Sequence, residues 1–266
     1  MKVSTTLFSL LVACQALPAV MQPAAAQSED VTRTAIDDAG RKFAADQFGP
    51  ERLRIDYNFA VARLKLLAGK RLAYTYDYVS DMNMTLAGGN AIKKQSKISF
   101  AYDKDGRSRT VSSMSGLERI VIADPTTQTA YLICPERKEV LRMTGAALAT
   151  PPGTAPAWRV SDESKAGTHT DLGEKMIAGV KASGSRTEIT IPAGAQGNDK
   201  PLVHTFENWY APDLAAIVYS RVSMPEFGDT VMDVENLKFG DVPASTFALP
   251  DGYAVRDIAL AENEVK

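Results

Sequence analysis

The 266 residues carry 30 basic and 32 acidic side chains, a formal charge of −2, with no long run of either sign. That balance argues against a nucleic-acid partner, which would be bound by neutralising phosphate charge. It also leaves no polybasic patch for peripheral attachment to a membrane.

The chain opens with Met1 and Lys2, then the apolar run Leu7-Phe8-Ser9-Leu10-Leu11-Val12-Ala13, then the small-residue stretch Ala24-Ala25-Ala26. This is the anatomy of a secretory signal, and residues 1–26 are expected to be removed, leaving Gln27 as the mature start. The apolar run is broken by polar residues and by Pro18. It is too short for a spanning helix of about 20 residues, so the mature chain is expected not to be transmembrane. Leu11-Val12-Ala13-Cys14 also resembles the bacterial lipobox, so lipidation at Cys14 is the alternative to simple cleavage. Either route predicts an exported protein of the periplasm or cell envelope. Residues 27–266 have the length of one large β-rich domain. Cys134 alone remains after simple cleavage, which rules out an internal disulfide. It lies in the strand-like run Tyr131-Leu132-Ile133-Cys134 and reads as a buried, inert thiol.

Val31, Ala35, Ala39 and Phe43 recur at helical spacing over residues 31–48, and Gly49-Pro50 reads as the stop. Residues 56–68 fit both a helix (Tyr57, Val61, Leu64, Ala68) and an alternating strand; the spacing ending at Gly69 favours helix. From Arg71 the period becomes two. Leu72, Tyr74, Tyr76, Tyr78, Met82 and Met84 fall on one side of a long strand, and Thr75, Asp77, Asp81 and Asn83 on the other. A turn over 86–90 leads to a second strand alternating at Ile98, Phe100 and Tyr102, and Asp103-Lys104-Asp105-Gly106 turns the chain again.

Short strands are predicted over 107–114, 118–123, 128–134 and 138–143, in a meander. Residues 144–168 are rich in proline and predict a loop, flap or lid. Strands resume near 171–178, 180–191, 201–210, 214–224 and 229–239. About eleven strands behind two helices predict a mainly β fold: a large antiparallel curved sheet or unclosed β-barrel with N-terminal helices.

Catalytic and metal signatures are absent from the sequence. The two histidines, His169 and His204, lack a second histidine at ligand spacing, and there is no H-E-x-x-H or G-x-S-x-G. Asp103-Lys104-Asp105-Gly106 lacks the later ligands of a calcium loop. The glycine-rich stretch over 192–199 precedes a strand, whereas a phosphate cradle needs a helix N-terminus. Arg107 and Arg109 share one side of a strand near Asp103 and Asp105, and are expected to make cross-strand charge pairs, with anion binding as the alternative. No enzyme activity, catalytic residue, metal or cofactor is expected.

The unusual feature is the stripe of Tyr74, Tyr76, Tyr78, Met82 and Met84, with Ile98, Phe100 and Tyr102 on the next strand. One reading is ordinary sheet core. The other is a wall for an apolar ligand, because methionine adapts to varied shapes and tyrosine combines apolar area with a polar tip.

Three segments carry a resemblance: Leu172-Gly173-Glu174-Lys175 through residue 180 with Ser185-Arg186-Thr187; residues 191–198 with Glu207-Asn208-Trp209-Tyr210; and Phe227-Gly228-Asp229-Thr230 with Asn236-Leu237 and residues 247–253. Asp105-Gly106-Arg107-Ser108-Arg109 and Ile122-Ala123-Asp124-Pro125 fit the same pattern. Together, across residues 95–256, they resemble a family of exported bacterial proteins of unknown function. The layout is more loosely similar to periplasmic lipoprotein carriers and lipoprotein-sorting proteins. That resemblance implies an unclosed antiparallel barrel, lidded by helices, over an apolar cavity. It implies no particular residue role here. The expected function is thus a non-enzymatic envelope protein binding a lipid or lipoprotein acyl chain. The alternative is a periplasmic protein-interaction or envelope-stress-sensing module without a lipid cavity.

Overall fold

The computed structural model describes residues 50–67, 70, 72–86, 89–114, 116–148 and 167–258. The predicted signal, the first predicted helix and most of the proline-rich segment lie outside them. A single sheet of twelve strands organises the described chain.

Helix α1 spans Pro50–Leu66. Pro50 begins this helix, since proline at a first helical position gives up an amide that has no helical partner anyway. Arg63 and Lys65 sit in the last turn, where cations suit the helix dipole. Leu53, Tyr57 and Ala60 form the buried face.

Strands β1 (Tyr74–Thr85), β2 (Ala91–Tyr102), β3 (Ser108–Met114), β4 (Leu117–Asp124), β5 (Thr129–Cys134) and β6 (Glu139–Thr144) make one antiparallel meander. Strands β7 (Thr168–Ile177), β8 (Val180–Ile191), β9 (Leu202–Ala211), β10 (Ala216–Met224) and β11 (Gly228–Phe239) make another. The two join where β1 pairs with β11, so the order is β12-β6-β5-β4-β3-β2-β1-β11-β10-β9-β8-β7. The sheet does not close into a barrel, as β7 and β12 stand at opposite ends of that order.

One pairing departs from the antiparallel expectation. β12 (Ala254–Asp257) adds parallel to β6, clipped by Arg142 Nε and Nη2 to the Asp257 carboxylate at 2.6 and 2.8 Å. Its four residues are all exposed, so no burial pattern marks it in the sequence. β2 also begins earlier than its apolar alternation suggests, because Ala91 to Gln95 are exposed on both faces.

β4 and β5 are buried on both sides, which explains their unbroken apolar runs. On one side α1 packs Leu53 and Tyr57 against Val121, Ala123, Ala130, Leu132, Cys134 and Met143. Burial there pushes the Cys134 thiol up, leaving it protonated and inert. On the other side Phe247, from a 3-10 turn over Ala244–Phe247, covers Ile120, Ile122, Ile133 and Val140. Asn58 Nδ2 donates to the Leu148 carbonyl at 3.0 Å and ties α1 to the 3-10 turn over Gly145–Leu148. That turn and the start of β7 bound the segment expected to be a loop; residues 149–166 lie outside the description.

Candidate apolar face on strands β1 and β2

β1 and β2 pair in a register that sets Tyr74 opposite Tyr102, Tyr76 opposite Phe100, Tyr78 opposite Ile98, Met82 opposite Lys94 and Met84 opposite Ile92. Directly opposed side chains share a face, so all eight stripe residues lie on one side of the sheet. The face has two halves of different character.

At the α1 end it is a packed aromatic cluster. Tyr76 stacks on Phe100 with ring centroids 4.9 Å apart, and Tyr74 meets Tyr102 at 5.1 Å. Tyr74 is 0% exposed and Tyr76 7%. Arg63 reaches in from α1: its guanidinium lies 3.8 Å from the Tyr102 ring centroid and 4.7 Å from that of Tyr74. Its Nε donates to the Tyr74 hydroxyl at 2.8 Å, and that hydroxyl donates to the Leu214 carbonyl at 2.6 Å. Burial pushes the hydroxyls of Tyr74, Tyr76, Tyr78 and Tyr102 above the usual phenol range, so all four are neutral donors.

Toward the other end, Tyr78, Met82, Met84 and Ile98 are half-buried and Ile92 is 39% exposed. Lys94 interrupts the face opposite Met82. The hydrophobic contacts of α1 are with β4, β5, β6 and the Gly145–Leu148 turn, not with this end of the stripe. Sequence reasoning found the stripe but missed Arg63 and Ile92. Arg63 stands three residues after core-facing Ala60, a spacing that could have placed it on the buried side of α1.

The opposite side of the same strands is polar. Ser99 Oγ donates to Asp77 Oδ1 at 2.6 Å, and Asn236 Nδ2 donates to Asp77 Oδ2 at 2.8 Å. The Ser99 hydrogen bond chiefly, then Asn236 and Lys97, holds the Asp77 carboxyl below its ordinary range against the opposing effect of partial burial. Asn236 takes φ +53° at a bulge between β1 and β11. Asparagine tolerates that left-handed conformation better than most residues.

The histidines are far apart in role. His204 is buried with Nε2 2.6 Å from Glu226 Oε1, and exposed His169 meets the Thr187 hydroxyl at 3.0 Å. Of the two arginines expected to pair with the turn carboxylates, Arg107 does, with Nε 2.6 Å from Asp103 Oδ2. Arg109 does not: no ion pair or hydrogen bond holds its guanidinium among the described residues. Its place opposite Ala101 points it across the polar side of the sheet instead. Among the described residues no cluster of His, Cys, Asp and Glu could hold a metal ion, and no helix is long and apolar enough to cross a membrane.

No family model matches the chain, and no curated protein matches it in sequence. Solved structures give distant likenesses. One is the MucA/MucB complex of Pseudomonas aeruginosa, with 17% identity over 71% of this chain and 59% of that one, at a TM-score of 0.34. Another is a conserved protein from Thermus thermophilus, with 8% identity over 76% and 98% and a TM-score of 0.38. A LolA superfamily protein from Nitrosomonas europaea has 7% identity over 73% and 97% and a TM-score of 0.30. The chain spans about three fifths of the MucB structures it matches.

Proposed function

We propose that this is an exported, non-enzymatic protein of the periplasm or cell envelope that holds an apolar ligand, a lipid or lipoprotein acyl chain, against the β1–β2 face. One observation carries the reading. The apolar row runs on from a packed aromatic cluster into Tyr78, Met82, Met84, Ile98 and Ile92, which remain half-buried or exposed. A row that begins as core and ends as open surface fits a chain-like ligand laid along the strands. The packed Tyr74–Phe100–Tyr102 cluster would then be its floor. Two methionines and two β-branched isoleucines at the open end suit a ligand without polar features to read.

The test is native mass spectrometry of the protein purified from its own envelope, with an apolar fluorescent probe titrated in parallel. Bound lipid and saturable probe uptake are expected. Absence of both overturns the reading.

A second reading is favoured by β7, the terminal strand, whose ten residues are almost all exposed and whose Met176 is 65% exposed. A partner's strand could extend the sheet there. The irregularity between Asp171 and Gly173 and the charged Glu174 and Lys175 oppose indiscriminate pairing. A partner co-purifying without lipid would favour this reading over the first.

A further inference from the structure

A cleft of about 360 Å³ lies on the polar side of the sheet, lined by Thr75, Asp77, Ser99, Ala101, Arg109, Asn236 and Lys238 among others. Its construction follows from register. Lys238 stands opposite Thr75, Thr75 opposite Ala101, and Ala101 opposite Arg109. These four residues therefore form one row across β11, β1, β2 and β3, on one face. The two outer members are long cations and the two inner ones are small. Three strand spacings, about 14 Å, separate the outer Cα positions. The row is thus a trough with a short-side-chain floor and a cation at each wall.

The adjoining row carries the Asp77 carboxylate and, opposite it, that of Glu235. Asp77 already accepts from Ser99 on one oxygen and from Asn236 on the other, and Lys97 lies 3.7 Å away. Its charge is committed locally. Arg109 and Lys238 have no ion pair or hydrogen bond of their own among the described residues. Arg109 is only partly exposed; burial lowers its pKa, and the charge of Glu118 acts in the opposite direction. A partly desolvated cation at the wall of a cleft is completed by an anion.

We propose that this trough binds a phosphate group, held between Arg109 and Lys238 over Thr75 and Ala101. A phosphate offers oxygens in both directions and can meet a cation on each side at once, with the Thr75 hydroxyl below it as a further donor. Arginine at the partly buried wall supplies a planar fork of donors, and lysine at the exposed wall supplies a mobile point charge. Tyr76 and Phe100 of the tyrosine stripe also line the cleft, although strand alternation turns their side chains to the other face of the sheet.

The phosphate could be free or could belong to a lipid headgroup, and two arms of one experiment separate these sources. In the first, inorganic phosphate is titrated into the protein at constant ionic strength and followed calorimetrically. In the second, sedimentation is measured with phosphatidylglycerol and with phosphatidylcholine vesicles. Saturable calorimetric binding without sedimentation identifies a free phosphate. Sedimentation with phosphatidylglycerol vesicles, competed by inorganic phosphate, identifies a headgroup. In whichever arm responds, Arg109→Gln and Lys238→Gln should each weaken binding at least tenfold, while Lys200→Gln, at an exposed site outside the cleft, should leave it unchanged. Lys238 is exposed, so its variant separates loss of binding from loss of folding. No binding in either arm, or binding indifferent to both cleft substitutions, overturns the proposal.

Discussion

Arg63 and Tyr74 join the helix to the centre of the sheet: the arginine Nε donates to the tyrosine hydroxyl at 2.8 Å, and the hydroxyl passes its proton toward the Leu214 carbonyl at 2.6 Å. Three elements thus meet at one fully buried oxygen. Tyr74→Phe would keep the ring packing and leave both Arg63 and the Leu214 carbonyl short of a partner. Losing a buried acceptor and donor of this kind costs about 1–3 kcal/mol. Urea denaturation should show a lower midpoint with an unchanged slope. A midpoint equal to wild type would mean that the hydroxyl contributes nothing there.

The two halves of the apolar face should respond differently to truncation. Tyr76→Ala removes a stacked ring from a packed cluster and should destabilise by ~3–5 kcal/mol. Met84→Ser, at the half-buried end, should cost less than about 1 kcal/mol, in keeping with a position that lacks full packing. Under the proposed function the ranking reverses for an apolar probe: Met84→Ser should lower uptake while the fold stays intact. Uptake that is unaffected by Met84→Ser would place the ligand elsewhere or nowhere.

Asp77 gives a pH prediction with a definite sign. Its folded-state pKa is depressed, chiefly by the Ser99 hydroxyl, so the unfolded chain binds this proton more readily than the folded one. The resulting stability is present above the unfolded carboxylate value and is lost as pH falls through the folded value. Ser99→Ala should bring the folded pKa back toward the ordinary range and move the acid-unfolding midpoint to higher pH. Carboxyl-carbon NMR titration reads the first effect, and circular dichroism against pH reads the second. A titration of Asp77 identical in the two proteins would contradict the assigned cause.

Gly184 faces Trp209 across the β8–β9 pair, and a Cβ built on it would lie 2.7 Å from the indole ring. The constraint is steric, since the indole covers the bare backbone. Trp209 is also fixed by its Nε1 donating to Glu207 at 2.8 Å and by Lys175 lying 3.8 Å from its ring centroid. Gly184→Val should expel the ring at a cost of roughly 1–3 kcal/mol. The tryptophan emission should shift to the red as the indole meets water. An unshifted spectrum and unchanged stability would show that the ring has room to move.

Most of the strand layout was legible because β10 and β11 set buried residues at every second position, and β1 does so over its first half until Val79 is buried on the polar side. β4 and β5 were legible as unbroken apolar runs for the opposite reason, covered by α1 on one side and Phe247 on the other. What escaped was whatever depended on register. Thr75, Ala101, Arg109 and Lys238 are scattered in sequence, and nothing in their local context announces that three strand pairings set them in one row. Arg109 stands near Asp103 and Asp105 in sequence, which invited a local pairing that only Arg107 makes.

The seam between β1 and β11 has a consequence for how the chain reaches its fold. Each meander is built from neighbours in sequence and can form by successive short hairpins. Tyr74 pairs with Phe239, however, so the central strand receives its second neighbour only after nearly all of the described sequence is available. Closing so long a loop is entropically late. Until then β1 presents an open hydrogen-bonding edge and its tyrosines lack part of their cover. During synthesis the first meander would wait in that condition, the state in which strand edges recruit other chains. A protein crossing a membrane unfolded would meet the same interval on the far side. Its greatest exposure to aggregation would therefore fall at the middle of the finished sheet, not at its rims.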